Sequence, residues 1–266
     1  MLNPYHFHFF STGNHHLPSL LLLHGFLGNG DDFTSVISQL SQNFNCLAVD
    51  LPGHGKTQVN GQDECYTLSK TAEGLIHGLE ELKIQQCFLV GYSMGGRLSL
   101  YLALYYPQYF HAAILESASP GLKTESERTQ RYLSDLKLAE NLEQQNLQDF
   151  LKDWYNKPLF KTFKHHPDYH KIITRRLKNN PTELAKSLRG MGTGNQPSLW
   201  EQLSTIQIPL LLLAGELDEK FVKINQDIVD LCSTAQLEII PDCGHNIHLE
   251  SPQQWIKVVQ EFCLFS

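Results

Sequence analysis

The sequence has no apolar run of transmembrane length, no Cys-x-x-Cys pair, no internal repeat and no low-complexity tract. The first absence leaves nothing that reads as a bilayer span. Met1 to Phe10 carry His and Pro but no basic region followed by a continuous apolar stretch, so no export signal is expected there. Cys46, Cys65, Cys87, Cys232, Cys243 and Cys263 lack the spacing of a structural zinc site, and several lie in apolar stretches. They read as buried thiols of a reducing compartment. Positive charge is also in deficit: 21 Lys and Arg face 28 Asp and Glu, a net charge of -7. A general nucleic-acid surface needs clustered cations, so any positive site must be local. These absences predict a cytoplasmic protein with no nucleic-acid partner and no stable membrane contact.

What is present fits a soluble enzyme. The 266 residues, 41% hydrophobic and 18% charged, suffice for one large core or one core with an inserted subdomain. Short apolar runs recur at Leu20 to Leu23, Cys46 to Val49, Cys87 to Val90, Ala112 to Leu115, Leu210 to Leu213 and Leu237 to Ile240. Such continuous runs suit parallel strands buried on both faces. Between them, helical patterns run over Asp32 to Leu40, Leu68 to Leu82, Met94 to Tyr105, Phe221 to Leu231 and Pro252 to Phe262. His6 to Phe10 is expected to add an antiparallel edge strand. The rhythm breaks between Gly121 and about Leu203, where amide-rich and charged helical segments carry Trp154, Tyr155, Phe160 and Phe163. The expected organisation is a core over 1–120, a helical cap over 121–203 and the rest of the core over 204–266.

One segment concentrates the chemistry: Gly91-Tyr92-Ser93-Met94-Gly95 sits where an apolar strand gives way to a helix. Glycines on either side let the chain reverse sharply and hold the Ser93 hydroxyl exposed, which is a nucleophile elbow. The Met94 N–H is then free to face a developing oxyanion. A serine so placed needs a base and an orienting acid. Asp218 follows the Leu210 to Leu213 strand and His245 follows Leu237 to Ile240, giving the order Ser, Asp, His with each residue at the carboxyl end of a strand. Glu216 is the rival acid, and Asp218 has the alternative use of capping the next helix. His24-Gly25-Phe26-Leu27-Gly28 follows the first parallel strand, so the Phe26 N–H is the second oxyanion donor and His24 shapes the turn. Asp50-Leu51-Pro52-Gly53-His54-Gly55 reads as a structural glycine-rich loop. Most of the 13 histidines, His15, His16, His165 and His166 among them, read as surface or packing residues, without carboxylates at metal-ligand spacing.

These features make the whole chain resemble the α/β-hydrolase fold: a mostly parallel central sheet flanked by helices, with an inserted helical cap. A narrower resemblance lies in Gly91-Tyr92-Ser93-Met94-Gly95-Gly96-Arg97, Glu116-Ser117-Ala118-Ser119-Pro120-Gly121-Leu122, Glu127-Arg128 with Arg131, Asp153-Trp154-Tyr155 and Gly215-Glu216-Leu217-Asp218-Glu219-Lys220-Phe221. These stretches are similar to the 2-succinyl-6-hydroxy-2,4-cyclohexadiene-1-carboxylate synthase family of menaquinone and phylloquinone biosynthesis. The resemblance implies a lyase that expels pyruvate from 2-succinyl-5-enolpyruvyl-6-hydroxy-3-cyclohexene-1-carboxylate, with Ser93 serving as a base toward carbon through His245 and Asp218. It implies no metal and no organic cofactor, and a small polycarboxylate as partner; the sequence does not fix the oligomeric state and leaves a monomer and a weak dimer both open. Three carboxylates on the substrate call for cations. The family pattern assigns them to Arg97, whose bland alternative is a surface ion pair, and to Arg131 and Arg176 in the cap, where Arg128 and Arg175 compete with them. Tyr92 and Trp154 line the pocket or pack beneath the cap. The chain departs from the family's pattern in the Met94 side chain, which leaves the backbone donor intact, and in the cap spacing between Trp154 and the arginine pair. The same serine site would suit a hydrolase of esters or carbon–carbon bonds, and, with turnover lost, a ligand receptor.

Overall fold

A computed structural model describes residues 3–265. Met1, Met1's neighbour Leu2 and Ser266, the ends of the expected core segments, lie outside them. Nine strands and ten α-helices run in chain order among the described residues. The strands are β1 (Tyr5–His6), β2 (Phe9–Thr12), β3 (Ser19–Leu23), β4 (Asn45–Val49), β5 (Gln58–Val59), β6 (Cys87–Tyr92), β7 (Phe110–Glu116), β8 (Leu210–Gly215) and β9 (Ala235–Ile240). The helices are α1 (Thr34–Leu40), α2 (Leu68–Glu81), α3 (Met94–Tyr105), α4 (Glu125–Gln144), α5 (Leu147–Tyr155), α6 (Tyr169–Arg176), α7 (Pro181–Met191), α8 (Glu219–Val229), α9 (Ile247–Glu250) and α10 (Pro252–Phe265).

Seven strands form one sheet in the order β2-β4-β3-β6-β7-β8-β9, with only β2 antiparallel. The apolar runs are continuous because both sheet faces are covered. Leu21 and Leu23 of β3 join Leu210 and Leu212 of β8 in a cluster with α2 and α3, whereas Leu20, Leu22, Leu211 and Leu213 point to the other side, against α1 and α10. Successive side chains on a strand must face opposite ways, so a four-leucine run fills two cores at once. Chain order reverses between β3 and β6, and a crevice opens at their carboxyl ends, where ligands bind in open α/β sheets. His24 to Gly28 and Ser93 both lie at that crevice.

The expected edge strand over His6 to Phe10 is corrected: the ladder is broken in two. Tyr5–His6 pairs with β5, and Phe9–Thr12 pairs antiparallel with β4. The break lies at His8, whose N–H donates to Thr57 Oγ1 at 2.9 Å and whose ring lies 3.0 Å from Asp50, while its carbonyl still accepts the Asp50 N–H at 3.0 Å. The two-residue alternation survives the break, with the Tyr5, Phe7 and Phe9 rings in a row, the first pair stacked and the second tilted.

Between β7 and β8 the described chain holds no strand: helices α4 to α7 are joined by short loops and, between α5 and α6, by 3-10 turns. Their shared apolar cluster, built on Leu142, Phe150, Phe163, Leu184 and Leu188, takes in buried Leu27 from the core, with Phe26 and Leu249 packed against it. Leu199 and Leu203 already pack into the main core. No helix among the described residues is long and apolar enough to cross a membrane.

The β6–α3 junction depends on close backbone approach. A Cβ on Gly95 would sit 2.2 Å from Leu23 O, and one on Gly91 would sit 2.3 Å from Ser99 Oγ and 2.4 Å from Gly95 O. Gly95→Ala should therefore force β3 and α3 apart and lower stability by about 3 kcal/mol. A urea midpoint unchanged from the parent would contradict this packing.

Candidate active site

Ser93 occupies a backbone conformation that side chains avoid, φ 51° and ψ -104°, between the last residue of β6 and the first of α3. Such strain costs about 1–3 kcal/mol and persists only when neighbours enforce it. Here the Ser93 N–H donates to Glu116 O at 2.8 Å, and the Gly95 N–H donates to His24 O at 3.1 Å. The hydroxyl faces a pocket between the sheet and the helical segment.

His245 Nε2 lies 3.1 Å from Ser93 Oγ, and His245 Nδ1 lies 2.6 Å from Asp218 Oδ2. With Nδ1–H donating to the carboxylate, Nε2 is left to accept the serine proton. Asp218 precedes α8 but makes no side-chain cap bond, so its carboxylate serves the histidine. The rival Glu216 instead accepts from the Asp242 N–H at 3.2 Å on the exposed side. Ser117 Oγ–H donates to His245 O at 3.0 Å and fixes the histidine loop against β7. Phe160 and Phe221 flank the imidazole, with centroids 6.1 and 4.7 Å away.

Two residues that line the pocket with Ser93 have backbone N–H groups without an acceptor among the described residues. Met94 is the first residue of α3, so its N–H has no acceptor within the helix. Among the described residues no hydrogen bond uses the Phe26 N–H, in a turn closed by Gly28 N–H donating to Gly25 O at 2.9 Å. His24 and His54 brace this region, as the sequence suggested for the first. Each ring accepts a backbone N–H at Nε2, from Leu51 and Leu27, and faces a carbonyl at Nδ1. Burial lowers the pKa of both, and for His54 the neighbouring His24 lowers it further.

The cations divide according to what they touch. Arg97 is no surface ion pair. It is 9% exposed and lines the pocket, with Nη1 donating to Gln196 Oε1 at 3.1 Å and Nη2 to Met191 O at 2.7 Å. Among the described residues no carboxylate lies within ion-pair distance of it. Burial, and then the Arg131 charge, lower its pKa to about 10, still well above neutrality. Arg131 also lines the pocket and spends Nε on Asp135 at 2.7 Å. Arg128 turns back to the carbonyls of Leu122 and Lys123. Arg176 lines the pocket but its guanidinium is engaged in a two-pronged pair with Asp32, at 2.8 and 2.6 Å, whereas Arg175 reaches Asp31 O and Asp32 from a more exposed position. Burial works against both charges of the Asp32–Arg176 pair, yet each holds the other ionised.

Tyr92 and Trp154 both line the pocket. The Tyr92 hydroxyl donates to Asn246 Oδ1, and Trp154 packs edge-to-face on Phe26 with centroids 5.2 Å apart. Three residues were not singled out from sequence: Gln196 behind Arg97, Lys220 at the pocket wall, and Lys157, whose Nζ lies 3.7 Å over the Trp154 ring. Burial and the Arg131 charge push the Lys157 pKa down to about 8.

A family model for the alpha/beta hydrolase fold matches residues 18–252. A Bacillus subtilis (strain 168) protein provisionally named 2-succinyl-6-hydroxy-2,4-cyclohexadiene-1-carboxylate synthase is 38% identical over 92% of this chain and 89% of its own length. A protein of that name from Serratia proteamaculans (strain 568) is 33% identical over 92% of each. The solved structure of MenH from S. aureus superposes with a TM-score of 0.91 at 35% identity, covering 97% of both chains. This chain belongs to the 2-succinyl-6-hydroxy-2,4-cyclohexadiene-1-carboxylate synthase family. The membership agrees with the narrower resemblance read from the elbow and cap motifs, and the sheet is that of the α/β hydrolase fold.

In this synthase-family chain the two buried histidines set an acid limit on stability. Their folded pKa values are depressed, so below about pH 6.5 the unfolded chain takes up protons that the folded chain does not. Stability should fall as pH drops from 6.5 toward 5, and His54→Gln should make the slope shallower. A melting temperature flat across that interval would contradict the neutral, buried state of these rings.

Proposed function

We propose that this protein is a carbon–oxygen lyase that eliminates pyruvate from 2-succinyl-5-enolpyruvyl-6-hydroxy-3-cyclohexene-1-carboxylate, leaving 2-succinyl-6-hydroxy-2,4-cyclohexadiene-1-carboxylate, in menaquinone or phylloquinone biosynthesis. Its family membership supports the reaction. The observation that carries the substrate class is Arg97, a buried cation without a carboxylate partner in the pocket that exposes Ser93. A bound carboxylate would supply the missing counter-charge.

The chemistry follows from the geometry. The proton beside the succinyl carbonyl is acidified by conjugation, and its removal builds negative charge on that carbonyl oxygen. Ser93, its own proton taken by His245 Nε2, serves as the base toward carbon, and Asp218 holds the imidazole tautomer. The Phe26 and Met94 N–H groups receive the oxyanion, each contributing about 3–4 kcal/mol by the measure of a donor deleted. The electron pair then returns through the ring and breaks the carbon–oxygen bond. The leaving group departs as the enolate of pyruvate and takes up a proton, and no water is consumed.

Arg97, with Arg131 and Arg176, is read as the carboxylate-binding set, and Tyr92 and Trp154 as pocket walls. Arg176 contributes through its place beside the pocket while paired to Asp32. The division into core (1–120 and 204–266) and cap (121–203) assigns the base and oxyanion hole to the core and most of the cations to the cap. The substrate is a soluble polyanion, which suits a cytoplasmic enzyme.

The test is a coupled assay in which pyruvate release and diene absorbance are followed together. Equal appearance of both is expected, with Ser93→Ala slowed by about a thousandfold. Undiminished turnover by Ser93→Ala rejects the base, and ester hydrolysis without pyruvate release rejects the lyase reading.

A further inference from the structure

Leu27 is the residue after the proposed oxyanion donor Phe26, and it carries a backbone φ of 69°. The turn from Gly25 to Gly28 demands a positive φ at this third position, where glycine or asparagine is usual. A leucine stands there because its side chain is fully buried in the apolar cluster of the helical segment, with Phe150, Leu184 and Leu188. A strained residue stays put only if its surroundings hold it.

Both peptide groups of Leu27 are held by side chains from different parts of the protein. On one side its N–H donates to His54 Nε2 at 3.1 Å, while His54 Nδ1 faces Pro52 O at 3.1 Å, an arrangement that leaves Nε2 as the acceptor. On the other side its carbonyl accepts from Asn179 Nδ2 at 2.9 Å. Asn179 follows α6, three residues after Arg176, and its Oδ1 accepts from the Gly55 N–H at 3.4 Å. One carboxamide from the helical segment therefore ties together the Phe26 turn and the loop that carries His54. The Phe26 ring adds a contact to each part, edge-to-face on His54 and on Trp154.

We propose that Asn179 and His54 are positioning residues that grip Leu27 from the helical segment and from the core, so that the Phe26 N–H stays aimed at the oxygen on which charge develops. This rests on the reaction proposed above for the Ser93 site. The grip makes the oxyanion hole conditional on the docking of α6 and α7. An oxyanion donor displaced by a fraction of an ångström loses its advantage in the transition state more than in substrate binding, so the effect belongs in kcat.

Asn179→Ala removes both hydrogen bonds, and Asn179→Asp keeps the acceptor for Gly55 while losing the donor to Leu27. In both variants amide hydrogen exchange of Leu27 and Gly28, the two hydrogen-bonded amides of the turn, is expected to accelerate at least tenfold, with exchange in β6 and α3 unchanged. With the pathway substrate, kcat should fall about ten- to hundredfold and KM should stay within threefold. Unchanged exchange at Leu27 and Gly28 overturns the grip. A kcat within twofold of the parent, or a loss confined to KM, overturns its role in the reaction. A parent protein that does not release pyruvate would sink the proposed reaction instead, and the exchange result would still decide whether Asn179 holds the turn.

Discussion

Arg97 carries a positive charge into the protein on the first turn of α3, where the groups that receive it are neutral: a glutamine oxygen and a backbone carbonyl. Placing a cation near a helix N-terminus is already unfavourable, since the exposed N–H groups there make that end positive. Burying it costs several kcal/mol more unless an anion compensates. The protein accepts this arrangement within reach of Ser93, with Lys157 and the Arg131–Asp135 ion pair close by in the helical segment. All of these charges favour one kind of occupant. In the reaction proposed above, the potential that draws in a carboxylate would also favour an oxyanion beside the Met94 N–H, so binding and chemistry would use the same field.

The sheet layer and the helical segment meet along a seam that runs past the pocket, from Arg97 on Met191 to Asn179 on Leu27. The carboxyl ends of β6, β8 and β9 bring Ser93, Asp218 and His245 together, and the dipeptide Glu116-Ser117 at the end of β7 fixes their spacing. Glu116 O takes the Ser93 N–H, and Ser117 Oγ–H donates to His245 O. The Glu116 side chain extends the same brace, accepting from His248 and from Trp255 Nε1 at 2.9 Å. On the far side of the pocket the buried Asp32–Arg176 pair and the Leu27 plug join the two layers. Breaking a buried pair of this kind leaves an uncompensated charge, which typically costs about 3–5 kcal/mol.

The sheet was legible because parallel strands are buried on both faces, and runs such as Leu20 to Leu23 announce that directly. The elbow and its two partners were legible because strand ends fix where Ser93, Asp218 and His245 must sit. The amino-terminal strand was misread as continuous, since the His8–Thr57 contact that interrupts it joins residues far apart in sequence. In the helical segment, arginine count was visible but direction was not. Arg128 and Arg131 lie three residues apart on α4, yet the first folds back on the Leu122 and Lys123 carbonyls and the second faces the pocket. Gln196 and Lys157 escaped notice because each acquires its role from a partner placed by tertiary folding, and no periodic pattern marks such a residue.

A direct measurement is calorimetric binding of the enolpyruvyl substrate to Ser93→Ala and to Ser93→Ala with Arg97→Gln, where turnover is blocked in both. If the uncompensated charge of Arg97 selects the substrate, its removal should weaken binding ten- to hundredfold, about 1.4–2.8 kcal/mol. Affinities within twofold of each other would contradict that claim and return Arg97 to a purely structural role.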